Sequence, residues 1–459
     1  MKSFSQLAIT SLEDFVFGQT PNPVSAKGGL VIGGGEVYPE LNFTLPDMVI
    51  NEETIDQVYG QYRMMIEDAC RRAGELRLPG LVVEFELLPE LTIHPEWGEA
   101  VTQILVSELQ KSGAKNGIKT ALRVTPNDIR EFARPPIMRS GFYVDQMFSS
   151  FERCAQAGAD FLSIESTGGK EIHDEAILNG DLALSVFSLS VLGARDMRFL
   201  WEKIVTLSHR YEVIPAGDSA CGFANTAMVL AEQHFIPQVW AAIIRVLSVP
   251  RSLVAYEQGA LGPCKDCAYE GPFIKAITGV PIALEGAEAA CAHLSPIGNI
   301  AKAVPDLWSN ESVNNVKLLG GMAPTVSLEQ LAYATRLMNT AGLDGLHGKL
   351  QLRDWFVNSD ARFDPQAYVL KPDVVLRLSG LIASGTNPYE RTRLAALGVT
   401  DELRTAVTSG FLKLSKLEQR WLNRLSKDAD ALEAKEMDFI DRMVPKINLE
   451  KVSLTEYGL

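Results

Sequence analysis

The chain has 459 residues, 46% of them hydrophobic, and a formal net charge of -14, so it holds apolar surface enough for one oversized domain or two to three ordinary ones. An acidic balance without any basic run argues against a nucleic-acid surface, because phosphate recognition needs clustered Lys and Arg. Met1 to Phe17 lacks the pattern of an export signal, and the longest apolar runs, 182–193 and 239–249, are interrupted and shorter than the roughly 20 residues of a membrane span, so a cytosolic protein with no membrane segment is expected.

Short apolar runs rich in β-branched residues recur along the chain with helical stretches between them. Leu81 to Phe85, Ile118 to Val124, Asp160 to Ile164, Val213 to Ala216, Ser252 to Tyr256, Val280 to Leu284 and Val316 to Leu319 are the predicted strands. This is the βα alternation of a parallel sheet. An eighth strand comes from Leu30 to Ile32 or from a segment after residue 320. Gly33-Gly34-Gly35 runs into Glu36-Val37-Tyr38-Pro39 rather than into a helix, so it reads as a glycine turn and not as a dinucleotide fingerprint.

Thr226 to Phe235 and Gln238 to Leu247 read as two helices parted by Pro237. Beyond residue 330 the alternation fades, and Asp401 to Met443 is helical, with apolar stripes that cover a core. The expected fold is α/β, a parallel sheet over 76–345 closed into a barrel or left open and doubly wound, with an N-terminal extension over 1–75 and a mainly helical C-terminal extension over 346–459.

Most predicted strands end in a polar residue: Glu84 and Glu86, Arg123 and Thr125, Glu165, Asp218, Glu257 and Glu285. In a parallel barrel these ends share one rim, so ligands far apart in sequence can meet there. Six cysteines in a large cytosolic chain are expected as thiols or ligands rather than disulfides. Cys70 and Cys154 sit in helical patterns and read as packing residues, whereas Cys221, Cys264, Cys267 and Cys291 lie near Gly- or Pro-containing loops.

Glu165, Cys221 and Cys267 form a donor set suited to a catalytic zinc with an open position. Spacing alone leaves a redox pair at Cys264 and Cys267, or inert thiols, open as well. His293 follows the strand ending at Glu285 and is a candidate fourth ligand, proton donor or packed imidazole. No His-Glu-x-x-His, Gly-x-Ser-x-Gly or Walker pattern occurs.

The chain resembles the zinc-containing methanol:corrinoid methyltransferase subunit over nearly its whole length. The likeness is carried by Pro39-Glu40, Ala121-Leu122-Arg123 with Asp128-Ile129-Arg130-Glu131, Glu165-Ser166 with Gly168-Gly169-Lys170-Glu171, Gly217-Asp218, and Ala224-Asn225-Thr226-Ala227-Met228. It continues through Pro250 to Glu257, Lys265-Asp266-Cys267, Lys275 to Gly279, Cys291-Ala292-His293, Trp308 to Ser312 and Asp364 to Tyr368.

The resemblance implies a (β/α)8 TIM barrel whose zinc is held by Glu165, Cys221 and Cys267, with methanol completing the coordination. It also implies a corrinoid-carrying partner protein whose Co(I) accepts the methyl group, a homo-oligomer within a hetero-oligomeric complex, and a place in methanogenic or acetogenic one-carbon metabolism. Cys264 looks like an addition to the family pattern, so Cys267 is taken as the ligand. Glu84, Glu86, Asp218 and His293 are rim candidates for protonating the departing oxygen. The partner is expected to cover the rim loops after Glu165, Cys221, Cys267 and Glu285. Two other readings are a related enzyme for another small methyl donor and a non-catalytic barrel with structural or redox thiols.

Overall fold

In the computed structural model, which describes residues 2–45, 47–285, 298–313, 317–318 and 321–459, the chain opens with a hairpin of β1, Gln19–Ser25, and β2, Val31–Gly34. Eight parallel strands follow: β3, Tyr38–Thr44; β4, Gly80–Glu86; β5, Lys119–Thr125; β6, Phe161–Ser163; β7, Ile214–Gly217; β8, Cys264–Asp266; β9, Ile282–Glu285; and β10, Leu307–Val313. Each pairs with its sequence neighbour, except across β7 and β8, and β10 pairs in parallel with β3 over seven residue pairs. The seam between β7 and β8 is bridged just before β8, where Leu261 N donates to Pro215 O at 2.7 Å. The sheet is therefore a nearly closed (β/α)8 barrel, as expected.

Side chains of one strand alternate between two environments. On β4, Leu81, Val83 and Phe85 join the large core shared with the surrounding helices, while Val82 joins a separate small cluster with Tyr38, Ala121, Phe161, Ala216, Ala283 and Leu307. That inner cluster fills the lumen near the strand starts, and hairpin residues Val24, Leu30 and Ile32 close it from below. Two residues further along the same inward rows the character changes to Glu40, Glu84, Arg123, Ser163 and Ser309, all buried. Apolar residues thus fill the bottom of the lumen, and charge is concentrated toward the carboxyl ends of the strands.

Three expected elements differ. Ser252 to Tyr256 is the second half of one helix, Gln238–Gln258, in which every residue from Val239 to Glu257 is buried. Packed against helices Ala194–Tyr211 and Pro388–Thr408, it has no solvated face, so its apolar run carries no helical period to distinguish it from a strand. Among the described residues it is the one helix long and apolar enough to cross a membrane, and it lies wholly inside the protein. Glu257, at its end, does not reach the rim but bonds Arg391 at 2.5 Å.

Leu30 to Ile32 belongs to the plugging hairpin, and the segment near residue 317 forms only a two-residue bridge, Lys317–Leu318 with Gly321–Met322. The strands that complete the barrel are β3, β8 and β10. Because β3 is part of the barrel, the barrel begins at Tyr38, inside the stretch read as an N-terminal extension. The segment after residue 345 is helical as expected, from Gly345–Asp360 to Glu436–Met443.

Candidate metal centre at the barrel mouth

Glu165 lies just beyond β6, Cys221 four residues beyond β7 and Cys267 one residue beyond β8. Their donor atoms lie within 4.8 Å of one another. The structure thus brings together the three residues proposed from sequence, and leaves Cys264 out: it is buried on β8, and burial with the carboxylate of Asp266 raises its thiol pKa. Cys70 and Cys154 are buried packing residues, as read. His293 and Cys291 lie outside the described residues.

One expectation is corrected. Cys221 and Cys267 were read as thiols or ligands, but their sulfurs lie at bonding distance, 2.08 Å, as a disulfide. Both loops aim their sulfur at one point beside Glu165. Reduced, the same pair offers two thiolates beside one carboxylate, a donor set that suits zinc.

Local structure explains how each donor is placed. Gly217 ends β7 with φ +111, and a Cβ there would come within 2.3 Å of the Tyr256 hydroxyl, so only glycine lets the chain turn toward Cys221. Cys221 then opens a wide helical turn, Cys221–Asn225, that runs into helix Thr226–Glu232. After β8, the Asp266 carboxylate accepts from Ala268 N at 3.2 Å, Glu270 N at 3.1 Å and also Gly271 N, which winds the chain tightly around Cys267. Glu270 accepts from Ala220 N at 3.3 Å and from the Ser252 hydroxyl, tying the Cys267 loop to the Cys221 loop.

The Glu165 loop is braced from below. Asp128 accepts from Thr167 N at 2.8 Å, and Arg130 pairs with both Asp128 and Asp196. Asp218 accepts from the Ser166 hydroxyl and from Ser166 N at 3.4 Å, while Arg251 donates to Ser166 Oγ at 2.6 Å. Asp218 is therefore turned to the backbone beside Glu165, with its Oδ1 unpaired among the described residues. Burial pushes its carboxyl up to about 8, against the opposing charge of Arg251.

Lys265 is the residue at the centre of the mouth to which the sequence reading assigned no role. Its Nζ lies 2.8 Å from Glu86, 2.9 Å from Glu165, 3.6 Å from Glu84 and 3.7 Å from Glu311. Burial alone would discharge this ammonium, but the four carboxylates outweigh burial and hold its pKa well above the ordinary lysine value. The same ion divides its neighbours. Lys265 draws Glu86 below the usual carboxylate range, whereas burial pushes Glu84 up to about 8 although Lys265 opposes it. Thr125 donates to Glu84 Oε1 at 2.7 Å, and Glu84 Oε2 has no partner among the described residues. A signal for Lys265 was present in Lys265-Asp266-Cys267, two residues before a candidate donor, but a lysine is ordinarily a surface group.

Fold and site together define a barrel enzyme with a sulfur and carboxylate donor set at the carboxyl ends of its strands. The family model of the methanol-cobalamin methyltransferase B subunit matches residues 1–458, and the chain belongs to this family, a family of methyltransferases. It is 36% identical over 454 residues, 98% of its own length and 97% of the other's, to a methanol–corrinoid protein co-methyltransferase of Methanosarcina barkeri. Its structure also matches a chain in the crystal structure of the methanol:cobalamin methyltransferase complex MtaBC from Methanosarcina barkeri, with a TM-score of 0.95, 34% identity and complete coverage of both chains.

Proposed function

We propose that this chain transfers the methyl group of methanol to the corrinoid of a partner corrinoid protein, with a zinc ion held by Glu165, Cys221 and Cys267 in their reduced form. The observation that supports the reading is the convergence of these three donors at the mouth of a barrel of this family. Hydroxide is a poor leaving group, and zinc bound there would supply Lewis acidity to the alcohol oxygen.

The remaining work falls to the chain's own side chains. Glu86 is ionised and anchors Lys265, so it holds no proton to give. Burial favours the protonated form of Asp218, but its bonded oxygen faces the backbone and hydroxyl of Ser166 rather than Lys265. Burial also favours the protonated form of Glu84, which stands on the inward row of β4 beside Lys265 and has one carboxyl oxygen without a partner among the described residues. Of the candidates among the described residues it is the best placed to protonate the departing oxygen. The names of the relatives support a corrinoid protein as partner, and the rim loops after Glu165, Cys221 and Cys267 would meet it.

The test is single-turnover methylation of the Co(I) corrinoid protein by methanol, followed in the visible spectrum under reducing conditions. Methylation should vanish on chelation and return with Zn²⁺. Methylation indifferent to zinc would overturn the metal's role, and none with zinc present would overturn methanol as the donor.

A further inference from the structure

Glu165 differs from the other two donors in how firmly it is held. Cys221 and Cys267 are 6% and 4% exposed and packed by their loops, whereas the Glu165 side chain is 35% exposed. A half-open carboxylate samples several rotamers, and ordering it on binding an ion costs affinity. Two other carboxylates, Glu86 and Glu311, crowd the same mouth and repel it. Something must hold Glu165 beside the sulfurs against that repulsion.

We infer that Lys265 is the positioning residue for this donor set: its ammonium takes Oε1 of Glu165 at 2.9 Å and so fixes the carboxylate next to Cys221 and Cys267. The ammonium is itself immobile, being 3% exposed and anchored on the far side by Glu86 at 2.8 Å. Asn42 Nδ2 in turn donates to Glu86 and to Glu311, at 3.4 Å each, which holds the anchor in place. A carboxylate that gives one oxygen to an ammonium retains the other for an ion. Lys265 stands two residues before Cys267, so one short segment supplies both a sulfur donor and the cation that orients the carboxylate donor. Partners of this kind, bonded to a ligand rather than to the metal, typically contribute about 10- to 100-fold to metal affinity.

This inference rests on the zinc reading above, and the experiment separates the two. Zinc affinity of the full-length protein is measured by competition with a chromogenic chelator in the presence of a thiol reductant, with circular dichroism checking the fold. Lys265→Met should bind zinc about 10- to 100-fold more weakly, Lys265→Arg should recover part of the loss, and saturating zinc should restore the kcat of the arginine variant. Glu86→Gln, which removes the anchor and leaves the lysine, should weaken zinc in the same direction and serves if the methionine variant does not fold. Zinc affinity in Lys265→Met or Glu86→Gln within about twofold of the parent would overturn the positioning role, provided Cys267→Ala has lost the metal. If Cys267→Ala binds zinc as the parent does, the ligand set itself is wrong.

Discussion

Arg123 reaches across the barrel lumen from β5 to Glu40 on β3, passing over β4, and the two side chains pair through both ends of the guanidinium, Nε to Oε1 at 2.6 Å and Nη2 to Oε2 at 3.2 Å. Neither is exposed to solvent. The same guanidinium donates to Ser163 Oγ at 2.9 Å on β6 and to Pro263 O at 2.6 Å before β8. One residue therefore joins four parts of the barrel wall directly beneath the charged mouth.

Breaking that pair leaves a buried charge without a partner. Glu40→Gln and Arg123→Met are each expected to cost about 3–5 kcal/mol of stability, measured as a lower urea midpoint with an unchanged slope. A midpoint equal to the parent's would show that water reaches the lumen and solvates the orphaned group.

The ligand assignment predicts a contrast among cysteines. Glu165→Gln, Cys221→Ala and Cys267→Ala should each lose zinc and methyl transfer, while Cys264→Ala keeps both and costs about 1 kcal/mol of stability. Metal analysis of the purified variants decides it. A Cys264→Ala protein as depleted in zinc as Cys267→Ala would move the ligand to the other sulfur.

Glu84→Gln keeps the size of the side chain and its bond with Thr125 but removes the transferable proton. Its kcat should fall by about 10²- to 10⁴-fold, the usual range for a general acid, with zinc content unchanged. An unaltered kcat in single-turnover methylation would assign the proton to another group.

Asp218 predicts a pH dependence of stability. Burial raises its folded carboxyl to about 8, against 3.8 for the unperturbed group. Between those values the folded chain holds a proton that the unfolded chain has released, so stability falls as pH rises through this window and the loss is complete above it. Each such group contributes at most about 1.4 kcal/mol per pH unit. Asp266, raised to about 7, acts in the same direction. The urea midpoint should therefore fall from pH 6 to pH 8, and less steeply in Asp218→Asn. An identical slope in the variant would show that Asp218 is ionised in the folded protein.

Strand positions β4, β5, β6, β7 and β9 were legible in the sequence because each is a run of apolar residues long enough to be bounded by turns. Glu165, Cys221 and Cys267 were legible as candidate donors because few residue types can hold a metal, and each follows a strand end or turn. Resemblance, not spacing, chose them over the redox and inert alternatives. β8 was not legible: Cys264-Lys265-Asp266 carries no apolar run, and it forms a strand only because β9 offers it hydrogen bonds. The buried half of helix Gln238–Gln258 was misread for the opposite reason, since complete burial by neighbouring helices removes the polar face on which helical periodicity depends. Lys265 depended wholly on tertiary structure. Its carboxylate partners come from β4, the end of β6 and β10, and only closure of the barrel sets those charges around one ammonium. Composition and local pattern determine which groups a chain can use and where its strands end, because these depend on near neighbours. The environment that gives a group its charge, burial and orientation is assembled by contacts across the whole chain, and the fold alone decides it.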